Sequence, residues 1–189
     1  MSRIIGGVVG SLRLKGPAKA TRPTSDRVKE SVFSILESMD ALDGSVVIDL
    51  FAGTGALGLE AASRGAKSVT LVERDRAAAA ICKENMELVD AGLRKSDVKA
   101  SISLRQESAE RYLKSAPHAD LIFIDPPYEF SNSEISKLFG EIRRSPGALI
   151  VLERSNKSEE QEVPESYSRL REVSYGDTAV YFLTTGGVQ

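Results

Sequence analysis

From residue 45 onward the chain alternates short β-branched runs with stretches of helical periodicity. That alternation constrains its fold more than any other feature. The runs are Val46-Val47-Ile48-Asp49-Leu50, Ser68-Val69-Thr70-Leu71-Val72-Glu73, Ala100-Ser101-Ile102-Ser103-Leu104, Leu121-Ile122-Phe123-Ile124 and Ala148-Leu149-Ile150-Val151-Leu152. Helices fit at 56–64, 76–91, 108–115 and 132–144. Strands that alternate with helices build a parallel sheet covered on both faces. The near-continuous apolar character of the runs agrees, because such a sheet buries both sides of its pleat. Two last runs, 167–175 and 178–184, have no helix between them, and Gly176-Asp177 links them closely. They are expected to form an antiparallel hairpin at the sheet edge. The fold class is therefore α/β: a Rossmann-like sheet, mostly parallel, with an antiparallel C-terminal hairpin.

Ahead of this sheet lies a basic extension. Residues 2–14 read as a small β-hairpin with turn candidates at Gly6-Gly7 and Gly10-Ser11. Residues 15–23 hold Gly16, Pro17 and Pro23 and read as a loop. Thr24 or Ser25 is placed to cap a helix in which Val28, Val32, Ile35, Leu36 and Met39 recur at helical spacing. Residues 1–40 thus form a hairpin, loop and helix extension, and residues 41–189 the sheet domain. Within residues 1–36, Arg3, Arg13, Lys15, Lys19, Arg22, Arg27 and Lys29 face only Asp26 and Glu30. That segment carries +5, which leaves −7 on the remainder of a chain with net charge −2. A basic arm on an acidic body suggests contact with a polyanion.

Other classes fit less well. Cys82 is the only cysteine, which excludes an intrachain disulfide and suits a reducing cytoplasm. No apolar run approaches the ~18 residues of a membrane span, and the N-terminus does not resemble a signal peptide. No cluster has metal-ligand spacing, so no metal is expected. His118, in Ala116-Pro117-His118-Ala119, reads as a surface turn, and Cys82 as core. Residues 154–166 are polar and acidic and read as an exposed loop. A monomer is expected.

Ligands of open α/β sheets bind beyond the carboxyl ends of the strands. Asp49-Leu50-Phe51-Ala52-Gly53-Thr54-Gly55-Ala56-Leu57-Gly58 sits at such an end. Its glycines permit a tight turn, close ligand approach and close helix packing. Gly53, Gly55 and Gly58 also match the dinucleotide pattern G-x-G-x-x-G, so a nicotinamide cofactor is a rival. Asp49 argues against that rival. Its carboxylate would repel a pyrophosphate but attract a sulfonium bearing an α-ammonium, the charges of S-adenosylmethionine. Glu73 closes the second run, 20 residues after Gly53, where an acid can bind both ribose hydroxyls. Phe51, Ala52, Thr54 and Arg74 are placed around the same cofactor. Glu107, after the third run, is the candidate for the adenine amino group, with the Ser108 backbone N–H beside it. The alternative is that Glu107 and Ser108 only start a helix.

The second loaded stretch is Asp125-Pro126-Pro127-Tyr128, directly after the fourth run. An aromatic exocyclic amine is a poor nucleophile because its lone pair is delocalised into the ring. Two acceptors aimed at its hydrogens favour the pyramidal nitrogen, and the Asp125 carboxylate with the Pro126 carbonyl can supply them. The prolines stiffen the loop. Tyr128 offers a face on which an unstacked base can lie. Asp125 is also within the expected reach of the cofactor. Phe130 is either an apolar wall or core.

Along nearly its whole length the chain resembles the bacterial 16S rRNA (guanine-N2)-methyltransferase family, within the class I S-adenosylmethionine-dependent methyltransferases. Arg3-Ile4-Ile5-Gly6-Gly7, Arg22-Pro23-Thr24-Ser25-Asp26-Arg27-Val28-Lys29-Glu30, the Asp49–Glu60 stretch, Asp125-Pro126-Pro127-Tyr128 and Tyr175-Gly176-Asp177-Thr178 carry the resemblance. The glycine and Asp-Pro-Pro-Tyr motifs are shared with many amino methyltransferases, whereas the two N-terminal stretches are narrower. The resemblance implies methyl transfer from S-adenosylmethionine to N2 of one guanine in 16S rRNA, within the small ribosomal subunit or its assembly intermediate. It implies RNA contact through Arg3 and Arg13 of the hairpin, and phosphate or cofactor-side roles for Arg22, Arg27 and Lys29. An N6-adenine methyltransferase on DNA or RNA shares the sheet and the acceptor motif. A non-catalytic RNA-binding assembly factor on the same fold would not need Asp49, Glu73 and Asp125.

Overall fold

In the computed structural model, residues 2–16, 26–115, 117–127, 129–142, 147–156 and 163–185 are described. Helix α1 spans Asp26–Ser38, followed by β1 (Val46–Asp49), α2 (Ala56–Ser63), β2 (Ser68–Val72) and α3 (Arg76–Lys95). Then come β3 (Ser101–Arg105), α4 (Ala109–Leu113), β4 (Leu121–Ile124), α5 (Asn132–Ile142), β5 (Leu149–Ser155), β6 (Tyr167–Tyr175) and β7 (Thr178–Thr185). The strands form one sheet in the order β3-β2-β1-β4-β5-β7-β6. From β3 to β5 all neighbours are parallel, while β7 runs antiparallel to both β5 and β6. Strand order reverses between β1 and β4, which makes that crevice the place where a ligand binds in such a sheet.

Alternation along the strands sorts side chains into two cores. Val47, Val69, Leu71, Leu121, Phe123 and Val151 pack on one face with residues of α1, α2 and α3. Ile48, Ile122, Ile124, Ile150 and Leu152 pack on the other with residues of α4 and α5. Every residue of β4 is buried, and each such large apolar side chain contributes roughly 1.5–3 kcal/mol. Phe33 of α1 meets Phe123 of β4 with ring centroids 5.6 Å apart. Ile4, Leu14 and the apolar face of α1 therefore share a core with the sheet.

Local chemistry sets the helix starts. Asp75 caps α3 by accepting from the Ala78 N–H at 2.8 Å, and Arg94 and Lys95 lie in its last turn, favourable to the helix dipole. Ser131 and Glu134 form a reciprocal capping box on α5. Most expected ends shift by a residue or two, while α3 runs on to Lys95, four residues past the expected 91. Helix α4 is the shortest, five residues where eight were expected.

One expectation gains a docking contact and another needs correction. The N-terminal hairpin holds a single bridge, Arg3 to Arg13. The Ile4, Ser11 and Leu14 amides bond across the hairpin, to the Leu12, Ile4 and Ser2 carbonyls, while the segment between them docks on α2: Ile5 and Gly6 donate to the Glu60 carboxylate, Val8 to the Ser63 carbonyl and Val9 to Ser63 Oγ. Gly7 makes that approach possible. It has φ of 75°, and a Cβ there would lie 2.0 Å from the Ser63 carbonyl oxygen. The polar stretch after residue 153 also does not begin as an exposed loop. Strand β5 continues to Ser155, and Arg154 is buried. Residues 157–162, like the candidate caps Thr24 and Ser25, lie outside the described residues.

Candidate active site

The loops after β1 and β4 emerge side by side. Asp49, the last residue of β1, is paired in parallel register with Phe123, and Asp125 follows two residues later. Beyond Asp49 the chain turns through Phe51–Thr54. Gly55 then enters α2 as a left-handed N-cap with φ of 87°. Gly58 sits against β2, where a Cβ would come within 2.3 Å of Leu71 Cδ2, so the helix packs onto the strand with no room for a side chain.

Three carboxylates converge here. Asp49 is buried, and one of its oxygens, Oδ2, accepts from the Gly58 N–H at 3.0 Å. Its other oxygen, Oδ1, is buried with no hydrogen-bond partner. Burial pushes its pKa up from 3.8 to about 7, against the pull of the Gly58 and Phe51 amides, and the negative charges of Asp125 and Glu73 add to the rise. Glu73 follows β2, and its two oxygens accept from Gly53 N–H at 2.8 Å and Asp75 N–H at 2.7 Å. It thereby fixes the glycine loop to the next strand end. An orphaned buried carboxylate oxygen beside two further acids fits a cationic ligand. The space where a Gly53 Cβ would stand is open among the described residues. The donor set thus suits S-adenosylmethionine, whose sulfonium and α-ammonium are both positive.

The acceptor motif is held from behind. Asp125 is partly exposed, Pro126 buried and Pro127 exposed. The Pro127 carbonyl accepts from Phe130 N–H at 2.9 Å, closing a turn. Phe130 is core and meets Phe51 edge-on at 5.1 Å, joining this loop to the glycine loop. Arg154 of β5 donates to the Phe130 carbonyl at 2.9 Å and to Asn132 Oδ1 at 3.0 Å. Tyr128 lies outside the described residues.

The seven-stranded sheet, mostly parallel with antiparallel C-terminal strands, is that of class I methyltransferases. A magnesium protoporphyrin IX methyltransferase from Synechocystis PCC 6803, solved with bound SAM, superposes with a TM-score of 0.64 at 13% identity, covering 85% of this chain and 79% of that one. Nearer relatives exist. The chain is 36% identical over 180 residues to ribosomal RNA small subunit methyltransferase D of Haemophilus influenzae, covering 92% of this chain and 89% of that protein. The chain belongs to the small subunit rRNA methyltransferase D family. Residues 2–184 also match the family described as conserved hypothetical protein 95. The solved Escherichia coli protein yhhF superposes with a TM-score of 0.82 at 30% identity, covering 99% of both chains.

The remaining site candidates of this family member divide. Glu107 and Ser108 follow β3 at the same sheet edge. Glu107 lies 3.4 Å from Arg111, and Ser108 Oγ accepts from the Arg111 N–H as the N-cap of α4. Arg74 is exposed. In the arm, Arg3, Arg13 and Arg27 are exposed, with Arg3 paired to Asp26 at 3.2 Å, and Arg22 lies outside the described residues. Lys29 corrects the expectation of a phosphate contact. It is 1% exposed, 3.4 Å from Glu60, and donates to the Arg3 carbonyl. Burial lowers its pKa, and Glu60 opposes that fall. Sequence reasoning passed over Glu60, Arg154 and Asn85, all buried polar residues that brace the arm and loops. His118 is exposed, 3.5 Å from Asp120, and Cys82 is fully buried behind the glycine loop.

Proposed function

We propose that this protein transfers a methyl group from S-adenosylmethionine to the exocyclic N2 of a specific guanine in 16S rRNA. One observation carries the reading: Asp49 and Asp125 lie at the carboxyl ends of adjacent parallel strands, at the point where strand order reverses. Family membership supports rRNA as the substrate class.

Asp49, Phe51–Gly55, Glu73 and Arg74 would hold the cofactor, with Glu107 and Ser108 toward the adenine. The cofactor supplies an electrophilic methyl on a sulfonium. Asp49 offsets that positive charge from a buried site, and Glu73 accepts from the ribose hydroxyls while keeping the loop closed. Asp125 and the Pro126 carbonyl accept from the two hydrogens of the guanine amine, which turns its lone pair out of the ring plane. The turn at Pro127, the Phe51–Phe130 contact and the Arg154 hydrogen bonds keep those acceptors fixed, so little ordering remains at the moment of attack. Asp125 receives the proton after nitrogen has gained its methyl. Tyr128 stacks the extruded base.

RNA approaches over the arm. Arg3 and Arg13 stand directly opposite one another in an antiparallel bridge. Like charges so placed repel, and only Arg3 has a carboxylate beside it among the described residues. A phosphate between them relieves the repulsion, and such contacts orient the enzyme without reading sequence. The test is the nucleoside composition of small-subunit rRNA from cells lacking this gene. Loss of one N2-methylguanosine is expected. An unchanged guanosine profile with N6-methyladenosine missing would assign the chain to adenine instead.

A further inference from the structure

Asn85 lies in the middle of α3 and is fully buried, yet no step of the methyl transfer uses it. Its side-chain amide spends three hydrogen bonds on two segments distant in sequence. Oδ1 accepts from the Lys15 N–H at 2.7 Å, and Nδ2 donates to the Lys15 carbonyl at 3.0 Å. The second Nδ2 hydrogen goes to the Thr54 carbonyl at 2.9 Å. Only one orientation of the amide satisfies all three, and it uses both donors. Lys15 ends the basic hairpin, one residue after the core residue Leu14 and two after Arg13. Thr54 is the residue between Gly53 and Gly55 in the cofactor loop. One buried side chain therefore touches both the arm and the loop.

We propose that Asn85 is a positioning residue that ties the basic arm to the glycine loop, so that RNA contact and cofactor binding strengthen each other. This rests on the methyltransferase reading of the site. The physical reason is the shared amide. A loop fixed by cofactor holds Nδ2 against the Thr54 carbonyl, and the rigid amide plane then holds the peptide group of Lys15 in a single place. An arm fixed by phosphate does the reverse. Linkage requires the two effects to be equal. On its other side the arm is already pinned to α2 through Glu60 and Ser63, so Asn85 is the contact that reaches the loop itself.

The test uses the full chain, the product S-adenosylhomocysteine, and 30S subunits from cells lacking the gene. Subunit affinity is measured with and without S-adenosylhomocysteine for wild type, Asn85→Ala, Asn85→Asp and Val89→Ala. Asn85→Asp keeps the acceptor for Lys15 and removes both donors, so it breaks the link at similar size. Val89→Ala opens a cavity one turn along the same helix and leaves the amide alone. Wild type and Val89→Ala are expected to bind subunits at least about 5-fold more tightly with the product present. Both Asn85 variants are expected to lose that ratio and to bind the product about 10-fold more weakly without RNA. Hydrogen exchange of the ligand-free Lys15 amide gives a second readout, faster in Asn85→Ala than in Val89→Ala. A wild-type ratio near one, or an undiminished ratio in folded Asn85 variants, overturns the proposal. Wild type that binds no S-adenosylhomocysteine at all overturns the methyltransferase reading instead.

Discussion

Asp49→Asn should make the ligand-free protein more stable at alkaline pH while crippling its hold on cofactor. In the folded chain the Asp49 pKa is about 7, against 3.8 for an ordinary aspartate. The folded state thus binds the proton more tightly than the unfolded chain does. Ionised Asp49 consequently costs stability, and that cost grows as pH rises from about 4 to about 7. At about 1.36 kcal/mol per pH unit, it is on the order of 2 kcal/mol at pH 5 and on the order of 4 kcal/mol at pH 8. Asparagine carries no such cost, but its amide hydrogens are left in the buried position, a penalty of about 1–3 kcal/mol that does not vary with pH. The difference in stability between variant and wild type should therefore grow by about 2–3 kcal/mol between pH 5 and pH 8, in favour of the variant. Urea unfolding of both proteins without ligand, at four pH values, measures it. The same substitution removes the charge that faces a sulfonium, so cofactor affinity at pH 8 should fall by about 100-fold or more. A stability gap that stays constant with pH would refute the assignment of the buried charge to Asp49.

Three further outcomes are expected. Asp125→Ala should nearly abolish methyl transfer while changing cofactor affinity by less than about 10-fold; equal loss of both, read by calorimetry beside a transfer assay, would remove it from the acceptor role. Arg13→Ala should weaken binding to 30S subunits and reduce the salt slope of that binding by about one, and an unaltered slope would take the arm out of the RNA interface. Gly58→Val should lower unfolding stability by about 1–3 kcal/mol or more, since its Cβ would stand 2.3 Å from Leu71 Cδ2; an undiminished midpoint in urea would mean that α2 can move off β2.

How far the sequence is legible follows from what periodicity can carry. The runs located all seven strands, six of them to within a residue and β5 three residues short of its end, and the central strands were plainest because burial on both faces leaves a nearly unbroken apolar pattern. The motifs after β1 and β4 were legible because parallel strands must deliver their ends to one edge. Buried polar residues were not. Arg154 sits in a polar stretch and reads as surface, yet its guanidinium is enclosed because it braces the turn behind Asp125. Lys29 did leave a trace, since it stands three, four and seven residues before Val32, Phe33 and Leu36 on the inward face of α1. Glu60, between Leu59 and Ala61 in a helix buried along most of its length, left a similar one. Asn85 left the same trace of burial, three residues after Cys82 and four before Val89, but its partners are 70 and 31 residues away, and no local pattern encodes them. The docking of the hairpin on Glu60 and Ser63 was not legible for the same reason, since those partners lie far from it in sequence.

The most direct measurement is transfer of tritium from methyl-labelled S-adenosylmethionine to 30S subunits isolated from cells lacking the gene, followed by digestion of the rRNA to nucleosides. Label in N2-methylguanosine with the wild-type protein, and none with Asp125→Ala, is the predicted result. Label in any other nucleoside, or no label from wild-type protein that binds both cofactor and subunits, would contradict the account.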